Sequence, residues 1–363
     1  MSIEAPMTEI ELVSDPQRVT PEWLTAVLHA ADALGEGSRV AGFGVEAVGT
    51  GQVGDCMRFT LTYDGRPGPS TLVGKFPAAD ETSRGAAAVT RTYEVETRFY
   101  QQLRDRVSIT APRPYLALLD VEANEFVLLM DDLAPAVQGD QLAGCDIDAA
   151  ALAMVEAARL HAPVWDDATL REMAWLDRGT DEGRVFYRQL ISTMYPAFLD
   201  RYGDRVDPEV ADLGRRLVDQ LEAYSAPADG PRTAVHGDFR LDNMLFTPDG
   251  STLTTVDWQT VALGTGVSDV SYFLGTSLLP ELRAEHERDL VQQYHQALLA
   301  GGVADTAFER CWTDYRRHAP AGLLMAVIAS MLVGQTDRGD EMFMAMANRS
   351  GRMSIELESL SLL

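Results

Sequence analysis

Val235-His236-Gly237-Asp238-Phe239-Arg240-Leu241-Asp242-Asn243, followed by Met244-Leu245-Phe246 and Thr247-Pro248-Asp249-Gly250, is the stretch on which the reading of this chain turns. Pro248-Asp249-Gly250 is turn chemistry: proline presets φ, aspartate bonds its own backbone, and glycine accepts φ > 0. Apolar residues flank the tip on both sides, from Met244 and again from Ser251 to Trp258. The pattern predicts a β-hairpin. Its folding back brings Asn243 and Asp257 to the same open end. An amide oxygen and a carboxylate side by side suit Mg2+, a hard cation that keeps some of its waters and bridges phosphates. The competing reading of Asp257 is a strand-end aspartate that caps a turn.

The spacing inside the loop is specific. In a chain of this length a His-Gly-Asp followed five residues later by Asn arises by chance on the order of once in a thousand. A carboxylate with Asn five positions on reproduces the catalytic loop of kinases, where the Asp accepts the substrate hydroxyl proton and the Asn reaches Mg2+. That makes Asp238 the candidate base and Asn243 and Asp257 the candidate metal ligands. His236 is expected to pack beneath the loop as a structural residue, and Asp242 to be a solvated neighbour. His161 and Trp165 fit either a pocket lining or a satisfied core pair. Met325, Met331, Met342, Met344 and Met346 read as core or pocket filler.

Working toward the N-terminus, Met57, Phe59, Leu61 and Tyr63 alternate with polar residues, the period of a half-buried strand. Gly65 to Pro69 is a turn, and Ser70 to Phe76 reads as the next strand. Before the first strand stands Gly49-Thr50-Gly51-Gln52-Val53-Gly54. A dinucleotide site needs a helix after such glycines, whereas here they lead into a strand. Gly49, Gly51 and Gly54 therefore fit a loop whose amides cover phosphates, or a plain glycine-rich hairpin. Lys75 lies on the strand that follows, where kinases place the lysine that holds the α- and β-phosphates. It is the one lysine among 30 basic residues, in a chain that otherwise uses Arg. A compact ammonium and a planar guanidinium are not equivalent there. A helix is expected from Gly85 to Leu103, with Val89, Tyr93, Glu96, Phe99, Tyr100 and Leu103 on one stripe. Glu96 is the acid on that stripe and the expected partner of Lys75, in preference to Glu94. Further strands are expected over Leu116–Asp120 and Glu125–Met130, and a helix from Pro21 to Leu34.

With these residues in view, HGDFRLDN, VDWQ (256–259) and SDVSYFLGTSL (268–278) resemble the aminoglycoside phosphotransferase/choline kinase superfamily, most of all its ecdysteroid kinase-like branch and related bacterial phosphotransferases. The resemblance runs over nearly the whole chain and takes in GTGQVG, LVGKFP, EVETRFY and VLLMDDL (127–133). It implies a bilobal α+β, protein-kinase-like fold, with a small β-rich N-lobe and a larger, mainly helical C-lobe. It implies ATP and Mg2+ as cofactors and a small-molecule hydroxyl as acceptor. Lys75 would sit on the phosphates with Glu96 behind it, the backbone at Leu129, Met130, Asp131 and Asp132 would meet adenine, and Asp269 would brace the catalytic loop. Related enzymes often approach that acid with Gly-Asp-Pro, where Gly266-Val267-Ser268 stands here.

Composition sets the outer bounds. A chain of 363 residues, 46% hydrophobic and 23% charged, has ample core. The formal charge of −25 argues against nucleic acid and against an anionic membrane surface. Most of that charge falls after residue 131, and an N-lobe over 1–130 with a C-lobe over 131–363 is the expected division. An acidic lobe favours a cationic acceptor or reflects a lineage-wide bias equally well. Cys56, Cys145 and Cys311 form neither a disulfide framework nor a zinc spacing, so a reducing, cytoplasmic setting is expected. The apolar run from Ala321 to Gly334 is too short to span a membrane and reads as a buried helix. No protein partner is implied, since the segment after Asp257 lacks a kinase activation loop. Two rivals stand beside the small-molecule kinase. One is a nucleotide-binding pseudokinase without turnover. The other is a dinucleotide oxidoreductase, which requires a helix directly after Gly54.

Overall fold

A computed structural model describes residues 10–49, 54–177, 179–227, 229–304 and 306–363. Two compact units emerge: the chain up to Leu103 with Pro112–Ala134, and Arg104–Ala111 with Pro135–Leu363.

The first unit begins with helix α1, Pro21–Ala30. Thr20 accepts the N–H of Trp23, and Pro21 and Glu22 follow as first-turn residues, so the N-cap chemistry acts as the sequence suggests. The helix stops short of the expected Leu34 because Asp32 takes a left-handed conformation, φ +52°. Five antiparallel strands come next: β1 Arg39–Ala47, β2 Gly54–Asp64, β3 Thr71–Pro77, β4 Pro114–Asp120 and β5 Glu125–Asp131, in the order β1-β2-β3-β5-β4. β3 is central, and Lys75 lies opposite Cys56 on β2 and Leu128 on β5. The alternation of β2 buries Phe59 and Leu61 against α1 residues Leu24, Val27 and Leu28 in one apolar core.

The single helix expected from Gly85 to Leu103 is three pieces. Helix α2 is Glu81–Thr90, α3 is Thr92–Arg98, and a π-helical turn takes Phe99–Leu103. Arg91 between α2 and α3 has φ +56° and breaks the helical phase. Tyr93, Glu96, Phe99, Tyr100 and Leu103 still face inward, but Val89 is 75% exposed. The stripe holds only after the break.

The second unit is mainly helical: α4 Ile147–His161, α5 Asp181–Tyr202, α6 Pro208–Asp219, α7 Leu221–Tyr224, α8 Val267–Ser277, α9 Pro280–Ala300, α10 Phe308–His318, α11 Ala321–Leu332 and α12 Asp337–Glu356. Five short strands are set among them. β6 Val137–Gln138, β8 Met244–Phe246 and β9 Leu253–Thr255 form one small sheet; β7 Thr233–Val235 and β10 Ala262–Gly264 pair in another. α11 is the apolar run noted above, and it packs with α5, α6 and α12 into one core. Met342, Met344 and Met346 are buried there, with Met325 and Met331 packed against its edge. Among the described residues no helix is long and apolar enough to cross a membrane.

The first unit's core offers a direct test. Phe59 is fully buried, with its ring 5.7 Å from Phe43 and 6.2 Å from Phe76. Phe59→Ala is expected to cost about 3–5 kcal/mol, read as a lowered urea midpoint. A loss under about 1 kcal/mol would contradict this packing.

Candidate active site

The loop leaving β7 is held from below by one carboxylate. Asp269, in the first turn of α8 and 2% exposed, accepts the N–H of His236 at 2.6 Å and that of Gly237 at 3.0 Å. His161 of α4 reaches the same carboxylate through Nε2 at 3.2 Å, and its Nδ1 lies 2.9 Å from the Tyr294 hydroxyl of α9. His161 is thus a satisfied core residue. Gly237 has φ +80°, and a Cβ there would lie 2.6 Å from the Thr260 carbonyl oxygen. No other residue fits.

His236 is fully buried, its ring 4.8 Å from Trp258 and 6.0 Å from Phe239. Its Nε2 lies 3.0 Å from the Val256 carbonyl, and its Nδ1 accepts the N–H of Asp238 at 3.3 Å. These partners assign the ring proton to Nε2. The imidazole ties the loop after β7 to the residue before Asp257.

Asp238 is surrounded by donors. Arg240 Nε lies 3.0 Å from Oδ1 and 3.1 Å from Oδ2. Tyr272 of α8 donates its hydroxyl to Oδ1 at 2.8 Å, and Asn243 Nδ2 donates to Oδ2 at 2.8 Å. Burial alone would raise this carboxyl; the Arg240 charge, the Tyr272 hydroxyl, His236 and the Asn243 amide outweigh it and hold it below the usual carboxylate range. Burial and the Asp238 charge push the Tyr272 hydroxyl well upward, so it remains a donor. Arg240 and Tyr272 escaped the sequence reading. Arg240 lies inside the motif, but nothing in its spacing says that it turns back on Asp238, and Tyr272 requires the packing of α8.

Asp242 corrects an expectation. It is 7% exposed rather than solvated. It accepts the Gln141 N–H at 3.1 Å and both Arg338 amino groups at 3.2 Å, and it lies 3.1 Å from Arg240 Nη1. The turn Leu241–Asn243 points it inward at these donors.

The hairpin brings Asn243 beside the segment that ends in Asp257. Met244 pairs with Thr255 and Phe246 with Leu253, and the Val256 N–H donates to the Asn243 carbonyl at 3.0 Å. The chain is extended only over Leu253–Thr255; Trp258 already lies in a 3-10 turn. Asp257 takes φ +66°, a conformation costly outside glycine that the flanking bonds maintain. Gln259 donates to its Oδ2 at 3.2 Å. The Asn243 amide nitrogen bonds both the main-chain and side-chain oxygens of Asp238, at 2.8 Å each, which turns the amide oxygen away from that carboxylate. Among the described residues no group of three His, Cys, Asp or Glu is arranged for a metal. Two oxygen donors at a hairpin end fit Mg2+, which takes its other ligands from water and phosphate.

In the first unit Lys75 Nζ lies 2.7 Å and 2.8 Å from the two oxygens of Glu96, with the carboxylate side chain only 4% exposed. Glu94 turns away to Arg91 and Arg98. Gly49 has φ +76°, and β2 starts at Gly54, where a Cβ would meet the Phe76 carbonyl at 3.1 Å. A strand directly after Gly54 removes the dinucleotide reading. Gly51 lies outside the described residues. Leu129, Met130 and Asp131 are inside β5, paired with β3 on one side, Leu129 and Met130 also with β4, while the Asp131 N–H donates to Arg113. Main chain beyond the ladder begins at Asp132.

Asp269→Asn keeps one oxygen acceptor and sets an amide nitrogen against the other of the two N–H groups. A loss of about 3 kcal/mol is expected, read by thermal and urea unfolding, and a melting point within a degree of wild type would contradict the bracing role.

Comparison with known proteins places this geometry in context. The chain is similar over 95% of its length, and over 98% of the other, to choline kinase from Cryptosporidium parvum, with a TM-score of 0.59 and 9% identity. Ethanolamine kinase from Plasmodium vivax covers 94% of the chain, and the chain 89% of it, with a TM-score of 0.51 and 10% identity. A candidate aminoglycoside phosphotransferase from Ralstonia eutropha JMP134 gives 0.52 at 16% identity, over 93% and 99% of the two chains. Acyl-CoA dehydrogenase family member 10 of Mus musculus is 28% identical over 159 residues, 40% of this chain and 14% of the mouse protein. The solved structures show the fold, that of the aminoglycoside phosphotransferases and choline kinases. The profile of the ecdysteroid kinase-like family matches residues 49–301, well over half of the sequence, and the chain belongs to that family.

Proposed function

We propose that this protein is an ATP- and Mg2+-dependent phosphotransferase that moves the γ-phosphoryl group to a hydroxyl of a small molecule. The family and its structural relatives are small-molecule kinases. The observation that carries the finer reading is Asp238: a carboxylate kept ionised by Arg240, Tyr272 and Asn243, on a loop braced from below by Asp269. An acceptor hydroxyl gives its proton to that carboxylate as its oxygen attacks phosphorus. Asn243 and Asp257 are the residues that would hold Mg2+, which when bound offsets phosphate charge. Lys75, oriented by Glu96, supplies a positive charge for the α- and β-phosphates. The amides at Gly49, Gly51 and Gly54 cover the phosphates, and the main chain that leaves the ladder at Asp132, after Leu129, Met130 and Asp131, meets the adenine. His236 and Asp269 act through position. In this scheme residues 1–130 serve the nucleotide and residues 131–363 carry the base and the acceptor. The segment after Asp257 runs into Trp258-Gln259 without an activation loop, which favours a small acceptor over a protein.

Supplying ATP, Mg2+ and a metabolite extract, and identifying phosphorylated products by mass spectrometry, tests the reading and names the acceptor. Asp238→Asn is expected to lower turnover by about 10²–10⁴-fold while the ATP-induced thermal shift persists. Lys75→Met, and Lys75→Arg with it, are expected to weaken nucleotide use. Full activity in Asp238→Asn would overturn the mechanism. Nucleotide binding without transfer to any hydroxyl would return the pseudokinase reading.

A further inference from the structure

The two carboxylate oxygens of Asp238 are already fully engaged. Oδ1 lies 3.0 Å from Arg240 Nε and 2.8 Å from the Tyr272 hydroxyl. Oδ2 lies 3.1 Å from the same Nε and 2.8 Å from Asn243 Nδ2. A carboxylate has about four lone-pair sites. A hydroxyl that is to give Asp238 its proton must therefore displace a donor. Tyr272 is 5% exposed, in a helix whose described residues are nearly all buried. Asn243 is also fixed by the Asp238 carbonyl at 2.8 Å. Arg240 alone has a second carboxylate already within reach: its Nη1 lies 3.1 Å from Asp242 Oδ2. Asp242 is itself anchored by the Gln141 N–H and by Arg338. The guanidinium is thus strung between two carboxylates, one of which is the base.

We infer that Arg240 is a positioning residue that covers the catalytic base in the absence of acceptor and withdraws to Asp242 when an acceptor hydroxyl arrives. The inference rests on the phosphotransferase reading above. Its consequence is protection of ATP from water. Hydrolysis would form a bond from a water oxygen to the γ-phosphorus and break the bond from that phosphorus to the β–γ bridging oxygen. The water proton would pass to Asp238, and ADP and phosphate would leave. A lone water has too few contacts to displace a charge-assisted hydrogen bond, whereas an acceptor held by the rest of its surface can do so.

The test uses the full chain with ATP and Mg2+ and no acceptor, and it measures ADP release. Arg240→Gln is expected to raise hydrolysis roughly tenfold, the value of one charge-assisted hydrogen bond. Adding Asp238→Asn to that variant should return it to background. Arg240→Lys, whose ammonium keeps the charge but lacks the separate Nε and Nη1 donors, should show a smaller rise and serves if the Gln variant does not fold. Asp242→Asn, which leaves the guanidinium to Asp238, should hydrolyse no faster than wild type. A role in folding alone would lower the melting point and leave hydrolysis flat. Hydrolysis at or below the wild-type rate in folded Arg240 variants that still show an ATP-induced thermal shift overturns the latch. Absence of that shift in the wild type overturns the phosphotransferase reading itself.

Discussion

The second unit's chemistry depends on one buried carboxylate. Asp269 receives two consecutive main-chain N–H groups of the loop after β7 and contacts His161 from another helix. Hydrogen bonds to an ionised acceptor are roughly twice as strong as neutral ones, and here they fix backbone rather than side chains. The left-handed conformation of Gly237, which a Cβ would forbid, is stable only because both amides beside it are satisfied. From that fixed turn His236 reaches the Val256 carbonyl, and Asn243 reaches Asp238. The braced loop thus sets where the candidate site residues stand.

A second constraint is the hairpin of β8 and β9. Its ladder is short, yet its register carries Asn243 to Val256 and so to the start of Asp257. Register slips by one residue reverse the facing of every side chain. The Thr247–Gly250 tip is accordingly overdetermined: Asp249 accepts from the Thr247 and Ser251 hydroxyls and from the Ser251 N–H. These bonds draw its carboxyl down to about 2. An exposed turn of this kind contributes little to stability and much to alignment.

How far the sequence disclosed this depended on how local each signal was. Turn chemistry and strand alternation are local, and they yielded β2, β3, β4 and β5 nearly at their true bounds and the hairpin in kind, though its second strand is only Leu253–Thr255 rather than Ser251 to Trp258. The pairing of Lys75 with Glu96 needed only helix phase after position 91, and that phase was preserved. The same phase failed for Val89, because Arg91 adopts a left-handed conformation that no spacing rule announces. Asp242 looked like a solvated neighbour because its donors, Gln141 and Arg338, are about a hundred residues away on either side. Tyr272 was missed for the same physical reason, and Arg240, two residues from Asp238, because spacing does not say that its side chain turns back. A carboxylate's donors are gathered by packing, and sequence distance says nothing about them.

The uneven use of Arg and Lys has a structural counterpart. Arg58 reaches both Glu46 and Asp132, Arg240 reaches Asp238 and Asp242, and Arg283 reaches Glu287 and Glu356. In each case a planar fork spans two carboxylates with separate nitrogens, where an ammonium would meet both from one point. Such bridges suit an acidic chain, because each guanidinium relieves repulsion between two acids at once. Lys75 meets the two oxygens of one carboxylate, Glu96, from the central strand of its sheet. A guanidinium on that stem would carry its charge farther from the strand and spread it over a planar fork. The ammonium instead concentrates its charge at one point, and Glu96 sets where that point stands. The single lysine thus stands where a point charge is wanted.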